Sequence, residues 1–276
     1  MLSLAATPSR RLLHRALVGL CLLGCGGSSG PLFTQRGTVT PTLPGLPDDF
    51  PLTPREGDLV LSSDGETVEG LDINGCVRIT ASNVTLRNGR IRCAVGGAGS
   101  AAIWIAAGVT GVLLEALDVD GTNQVERVIY GSGFIARRVD LQAGDEGIRL
   151  TAGGRLEDSV IHALNLGNES GHGVALFGGS GVFLERNRIE GGVTSALFFS
   201  PSEGPIDDVH VTGNTLGGGA YTVYAGSTGS DAATTRMTID GNRFERTARF
   251  GPASLAAGDI RWNDNRWVDT GTVITP

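Results

Sequence analysis

A nine-residue, strand-like motif returns eight times between residues 83 and 267, and this confines the chain to a stacked-repeat architecture. The first copy, NVTLRNGRI, sets Val84, Leu86 and Ile91 at its apolar positions. The same offsets select Val112, Leu114 and Val119; Phe134, Ala136 and Leu141; Leu156 and Ile161; and Val182, Leu184 and Ile189. They go on to Val209, Val211 and Leu216; Met237, Ile239 and Phe244; and Ile260, Trp262 and Trp267. The steps between copies are 28, 22, 20, 28, 27, 28 and 23 residues. Apolar residues two apart mark a strand with one face to a core, and no long stretch shows the three-and-four spacing of a helix. With 43 glycines in 276 residues, the chain is also rich in the residue that opposes helix and permits tight corners.

A second strand precedes the motif in most repeats, read at Ile103 and Ile105, Val128 and Tyr130, Ile148 and Leu150, Val174 and Leu176, and Ala196 and Phe198. Two strands and their corners per repeat describe a chain that coils and climbs one strand spacing per turn. The position five residues into each copy reads Gly89, Leu117, Val139, Ser159, Asn187, Asn214, Asn242 and Asn265. The last four predict an asparagine ladder, in which stacked amides bond along the column and Asn accepts the left-handed backbone of a sharp corner. A polar change at a central stacking position such as Leu184 is expected to cost the most stability.

The strand pattern resembles the parallel β-helix repeat of the pectate-lyase-like superfamily. The segments GLDINGCVRITASNVTLRNGRIRC (residues 70 to 93) and PIDDVHVTGNTLGGGAYTVYAG (205 to 226) are similar to a group of secreted bacterial β-helix proteins. The resemblance implies an all-β fold: a single-stranded, right-handed parallel β-helix, a solenoid of about eight to nine coils.

The start of the chain reads as an address. Arg10, Arg11 and Arg15 precede an apolar run from Ala16 to Leu23, too short to span a bilayer, and then Gly24 and Cys25. Leu22-Leu23-Gly24-Cys25 resembles a bacterial lipoprotein processing box, which implies lipidation at Cys25. The expected organisation is a signal peptide over 1–24, a flexible Gly/Ser/Pro-rich tether over 25–54 and a β-helix domain over 55–276. From about Leu46 the tether is expected to fold down over the first coil. Export and a lipid anchor to a bacterial cell membrane follow.

Cys76 and Cys93 then remain; they form either a disulfide that closes the first coil or two separate buried thiols. No spacing of Cys or His suggests zinc. The chain has no lysine, and beyond the signal 19 Arg face 29 acids, a net charge of −10. That balance argues against nucleic acid as a partner and removes every Lys-based mechanism.

Chemistry is expected just ahead of the second strand. Two positions before Val128, Ile148 and Val174 stand Glu126, Glu146 and His172, which would stack as a column, with Asp145, Arg149 and Glu169 beside them. Gly144-Asp145-Glu146-Gly147 and Gly171-His172-Gly173 resemble the GDD and GHG motifs of polygalacturonase-type glycosidases. That likeness implies Asp145 and Glu146 as an acidic pair supported by His172. The expected grouping on stacked coils, not the likeness, places Arg149, Glu126 and Glu169 toward substrate. Glu146 replaces the family's second Asp, Gln124-Val125-Glu126 stands in place of its Asn-Thr-Asp, and its Arg-Ile-Lys clamp is missing. Asp118, Asp120 and Asp140 offer calcium ligands for lyase chemistry, against the plainer reading of outward-facing acids. Trp104, Tyr221 and Tyr224 are candidate sugar-binding rings, whereas Trp262 and Trp267 are expected to plug the C-terminal end.

Two functions stay open: a monomeric envelope protein that binds or processes an extracellular polysaccharide, as a hydrolase or lyase if it is an enzyme, or a scaffold whose flat faces contact another envelope component.

Overall fold

A computed structural model describes residues 44–165, 167, 171–229 and 232–276. The expected signal peptide, Cys25 and most of the expected tether lie outside the described residues, as does Glu169. Every named strand pair is parallel, and the chain coils through three strands per turn, the last two merged into one in Thr85–Arg92 and Val112–Asp120. One coil runs Glu146–Leu150, Gly154–Glu157 and Val160–His162 before His172–Leu176 begins the next. The first strand of each coil belongs to a nine-stranded sheet; the other two form a 17-stranded sheet folded along a corner.

The repeat read from sequence is the repeat of the structure. Leu86 lies over Leu114, Ala136 over Leu156 and Leu184, and Val182 over Val209 and Met237. Ile91, Val119, Leu141, Ile161, Ile189, Leu216 and Phe244 make a second inner column. All are essentially without solvent contact. Stacking like on like lets each buried side chain, worth about 1.5–3 kcal/mol, pack on its counterparts above and below.

Between the two strands of the folded sheet the chain turns once per coil. The residue before the ladder position takes the left-handed conformation every time: Asn88, Ala116, Arg138, Asp158, Arg186, Gly213, Gly241 and Asp264, with φ from 43° to 67°. The ladder asparagines do not themselves turn the corner, in contrast to the role expected for them. They point inward and satisfy the backbone that the turn leaves unpaired. Asn214 Oδ1 accepts from the main-chain N and Nδ2 of Asn187 at 2.8 and 3.0 Å, while its own Nδ2 donates to Leu184 O at 2.8 Å. Asn242 and Asn265 repeat the pattern, and Asn187 passes it on to the Ser159 N–H.

The ends are closed differently. At the C-terminus, Trp262 packs on Phe244 and donates its indole N–H to Ile274 O at 2.9 Å. At the N-terminus, Thr53–Glu56 pairs with Leu71–Asn74. Upstream of it Gly45 N bonds Arg138 O and Leu46 N bonds Asp118 Oδ1, so this segment crosses several coils instead of capping one. The folded domain therefore begins before residue 55. Cys76 and Cys93 are joined by a disulfide with their Cα atoms 4.8 Å apart.

Two stability tests follow from this frame. Asn214→Ala should lower unfolding free energy by about 3–5 kcal/mol in urea titration, since several buried donors and acceptors lose partners at once. The exposed Asn263→Ala should stay within about 0.5 kcal/mol of the parent. A Cys76→Ser, Cys93→Ser double variant should lose about 3 kcal/mol in the same titration, the entropy of closing a loop of this size.

Candidate functional site

The nine-stranded sheet carries the chemistry that the sequence places ahead of the second strand, but in a shifted register. Ile129, not Val128, lies over Ile148, and Leu197, not Ala196, lies beside Val174. Simple alternation fails because two consecutive residues face the core in these strands. Val128 and Ile129 are both fully buried, as are Ala196 and Leu197. Gly147 and Gly173 occupy the first of these paired positions. A Cβ on Gly147 would meet Gly173 O at 2.5 Å and Ile161 Cγ2 at 2.6 Å; one on Gly173 would meet Ala196 O and Ile189 Cγ2, each at 2.5 Å. The glycines of the GDEG and GHG strings are thus steric requirements of the core.

The shift turns the flanking residues outward. The column expected as Glu126, Glu146 and His172 is instead Arg127, Glu146, His172 and Ser195. Glu126 moves aside, where it binds Arg127 and the Gly99 N–H. Arg149 Nε donates to Glu146 Oε2 at 2.9 Å and Arg149 Nη2 to Glu146 Oε1, so both carboxylate oxygens are taken; Arg127 Nε lies 3.6 Å away. His172 bonds Ser195 Oγ through Nδ1 at 3.1 Å and lies beneath Phe198, ring centroids 4.3 Å apart. Burial, with the Arg149 charge second, pushes the His172 pKa down to about 4. Asp145 accepts from Asn165 Nδ2 at 2.8 Å, away from this column. Glu146 and His172 are each only 4% exposed. They brace the surface from below and do not face a substrate across it.

What does face outward is a row of rings. Arg78, Trp104, Tyr130, Arg149, Ala175, Phe198, Tyr224 and Ser254 align coil by coil. Guanidinium groups lie over four rings: Arg78 over Trp104 at 3.9 Å, Arg127 over Tyr130 at 5.0 Å, Arg149 over Phe177 at 4.1 Å and Arg249 over Phe250 at 4.8 Å. Phe198 contacts Phe177 and Tyr224, and Tyr221 bridges Tyr224 and Phe250. Of these rings, sequence reading finds Trp104, Tyr221 and Tyr224. It misses Tyr130 and Phe198, which alternation assigns to the core, and Phe177 and Phe250, which lie just after and just before their strands. The signal for the first two is the glycine before Ile148 and before Val174, which shows the core beginning one residue early.

The three aspartates are otherwise engaged. Asp118 accepts from Leu46 N and lies 3.7 Å from Arg90 Nε; Asp140 bonds His162 Nε2 at 2.8 Å; Asp120 accepts from Thr122 N at 2.6 Å. Burial raises the Asp140 pKa, His162 opposes this, and Asp118 adds to it. No metal-holding group of three or more His, Cys, Asp or Glu occurs among the described residues. On the folded sheet, a shallow groove of 730 Å³ runs past Leu113, Ile135 and Phe183, with Arg137 and Arg155 at its side.

The chain matches no family model and no curated protein. Among solved structures it is similar to a chain described as "Crystal structure of Dettilon tailspike protein (gp208)", at 13% identity and a TM-score of 0.36, over 78% of this chain and 62% of that one. The chain thus spans less than two thirds of the tailspike chain.

The buried imidazole makes stability pH-dependent. A His whose pKa falls from 6.5 to about 4 on folding gives its full contribution above pH 6.5 and loses it progressively down to pH 4, about 3 kcal/mol in all. Urea midpoints of the parent should fall more steeply from pH 7.5 to pH 4.5 than those of His172→Gln; equal slopes would deny the burial its energetic effect.

Proposed function

We propose that the protein is an extracellular glycan-binding solenoid, held at the cell envelope by a lipid on Cys25, and that the outer face of the nine-stranded sheet is its binding surface. The observation that carries this reading is the coil-by-coil row of Trp104, Tyr130, Phe198 and Tyr224 with arginines laid on or beside the rings. Aromatic faces pack on the C–H faces of sugars, and guanidinium groups donate to hydroxyls in a fixed fork. Such a row is ready-made, because strand pairing and the neighbouring rings and guanidinium groups already hold each ring and leave little to be ordered on binding.

Binding without turnover is the form of activity the geometry favours. An acid–base pair must reach the bond it cleaves, and Glu146 is clamped by Arg149 while His172 sits neutral under Phe198. The scaffold role keeps one specific support: the groove beside Leu113 and Ile135, where Ile135 is 43% exposed. The anchor rests on the Arg10-to-Cys25 segment and is tested by whether Cys25→Ala abolishes fatty-acid labelling.

The deciding measurement is binding of the full chain to a polysaccharide panel. At least one polymer should bind, Trp104→Ala should weaken it about tenfold or more, and no reducing ends should appear. Reducing ends that vanish in Glu146→Gln would make the protein an enzyme instead. No binding to any polymer would sink the glycan reading and favour the groove.

A further inference from the structure

Resting on that reading, we infer that the face takes a single extended, β-linked glycan chain laid along the solenoid axis, gripped at two aromatic platforms at once. The rings fall into two groups. Trp104 and Tyr130 occupy neighbouring coils at one end, and Phe198 and Tyr224 neighbouring coils at the other, widened by Tyr221 and Phe250. Between them the row holds Arg149 and Ala175. Arg149 lies over Phe177 and is tied to Glu146, which puts a charged group at the centre.

Spacing selects the ligand. Register puts five coil steps between Trp104 and Tyr224. At ~4.8 Å per step that is about 24 Å. A pyranose in an extended β-1,4-linked ribbon advances by nearly one strand spacing. Successive sugars therefore fall opposite successive coils, and six of them reach from one platform to the other. An α-1,4-linked glucan coils and drifts out of step with the rings after a residue or two. Direction follows from the same geometry. A chain lying across the solenoid meets one outward row position per strand, such as Phe198 in Ser195–Phe199, before it reaches a corner. Only a chain along the axis collects both groups.

Two weak platforms joined by one ligand act as a bivalent site, which raises affinity far beyond either alone once the chain is long enough to span. Short chains should fit either platform and gain nothing from the other. Single-platform variants should therefore lose the gain from length while keeping the weak binding of short chains.

The test is calorimetric titration of the full chain with cello- and chito-oligosaccharides of two to six sugars, with malto-oligosaccharides as the coiled control. In at least one β-linked series the six-sugar chain should bind about 100-fold more tightly than the three-sugar chain. Trp104→Ala and Tyr224→Ala should each bring the six-sugar affinity down to near the three-sugar level. Trp104→Phe and Tyr224→Phe should keep most of the length effect, and equal melting temperatures should show that all four variants are folded. A flat length dependence, equal binding of the malto series, loss in only one of the two alanine variants or silence from both β-linked series overturns the two-platform geometry. If the polysaccharide panel still shows binding, the glycan reading survives that result; if the panel is silent too, both fall.

Discussion

The structure depends on one constraint: every coil must set its corner at the same height, so that like residues stack. From the coil of Ser159 onward the asparagine column enforces it. Each corner bends through a residue with left-handed backbone, and such a bend turns N–H and C=O groups away from both strands. From Asn187 to Asn265 the ladder amides collect those groups and pass the bonding to the next coil. A slip of one residue would break the column and turn the apolar set outward. Outside the same corner, charged side chains hold the bend from the solvent side: Arg186 forks onto Asp158, and Arg138 binds Glu115. Those pairs help explain why arginine and aspartate are tolerated where glycine would be less strained.

Most of this frame is legible in the sequence, because a parallel stack repeats its requirements. Val182, Val209 and Met237 fill the same slot, and eight copies outvote any irregular one. The outer face of the nine-stranded sheet is less repetitive, and there the reading fails at particular residues. Val128 and Tyr130 look like an alternating pair, and so do Ala196 and Phe198, yet each strand carries two consecutive inward residues. Period-two reasoning cannot see that irregularity. A single-residue error moves Tyr130 and Phe198 from the core to the surface and exchanges Glu126 for Arg127 in the column. The left-handed corner is missed by the same margin: Asn is the residue type that tolerates it, but the ladder needs the asparagine side chain inside, so the neighbour turns instead.

The GDEG and GHG strings show how packing can imitate a catalytic motif. Gly147 and Gly173 are small because Ile161 and Ile189 fill the space beside them. Glu146 and His172 then fall on consecutive coils because the strands begin there, and each is spent on a neighbour, Arg149 in one case and Ser195 in the other. A polar residue beside a glycine at a coil corner is weak evidence for chemistry unless its side chain is free to reach out.

Charge distribution supports the same division of labour. The chain is acidic, with 29 Asp and Glu against 22 Arg, yet the outward row holds Arg78 and Arg149, with Arg127 and Arg249 beside it. A guanidinium lying on a ring keeps that ring's position while exposing its own N–H edge. Arg149 adds a tie to Glu146, which anchors it at the polar centre between the two groups of rings. Rings alone would accept any apolar surface that approached. Rings interleaved with fixed donors favour a ligand that is apolar on its face and hydroxyl-rich on its rim, and a pyranose has both.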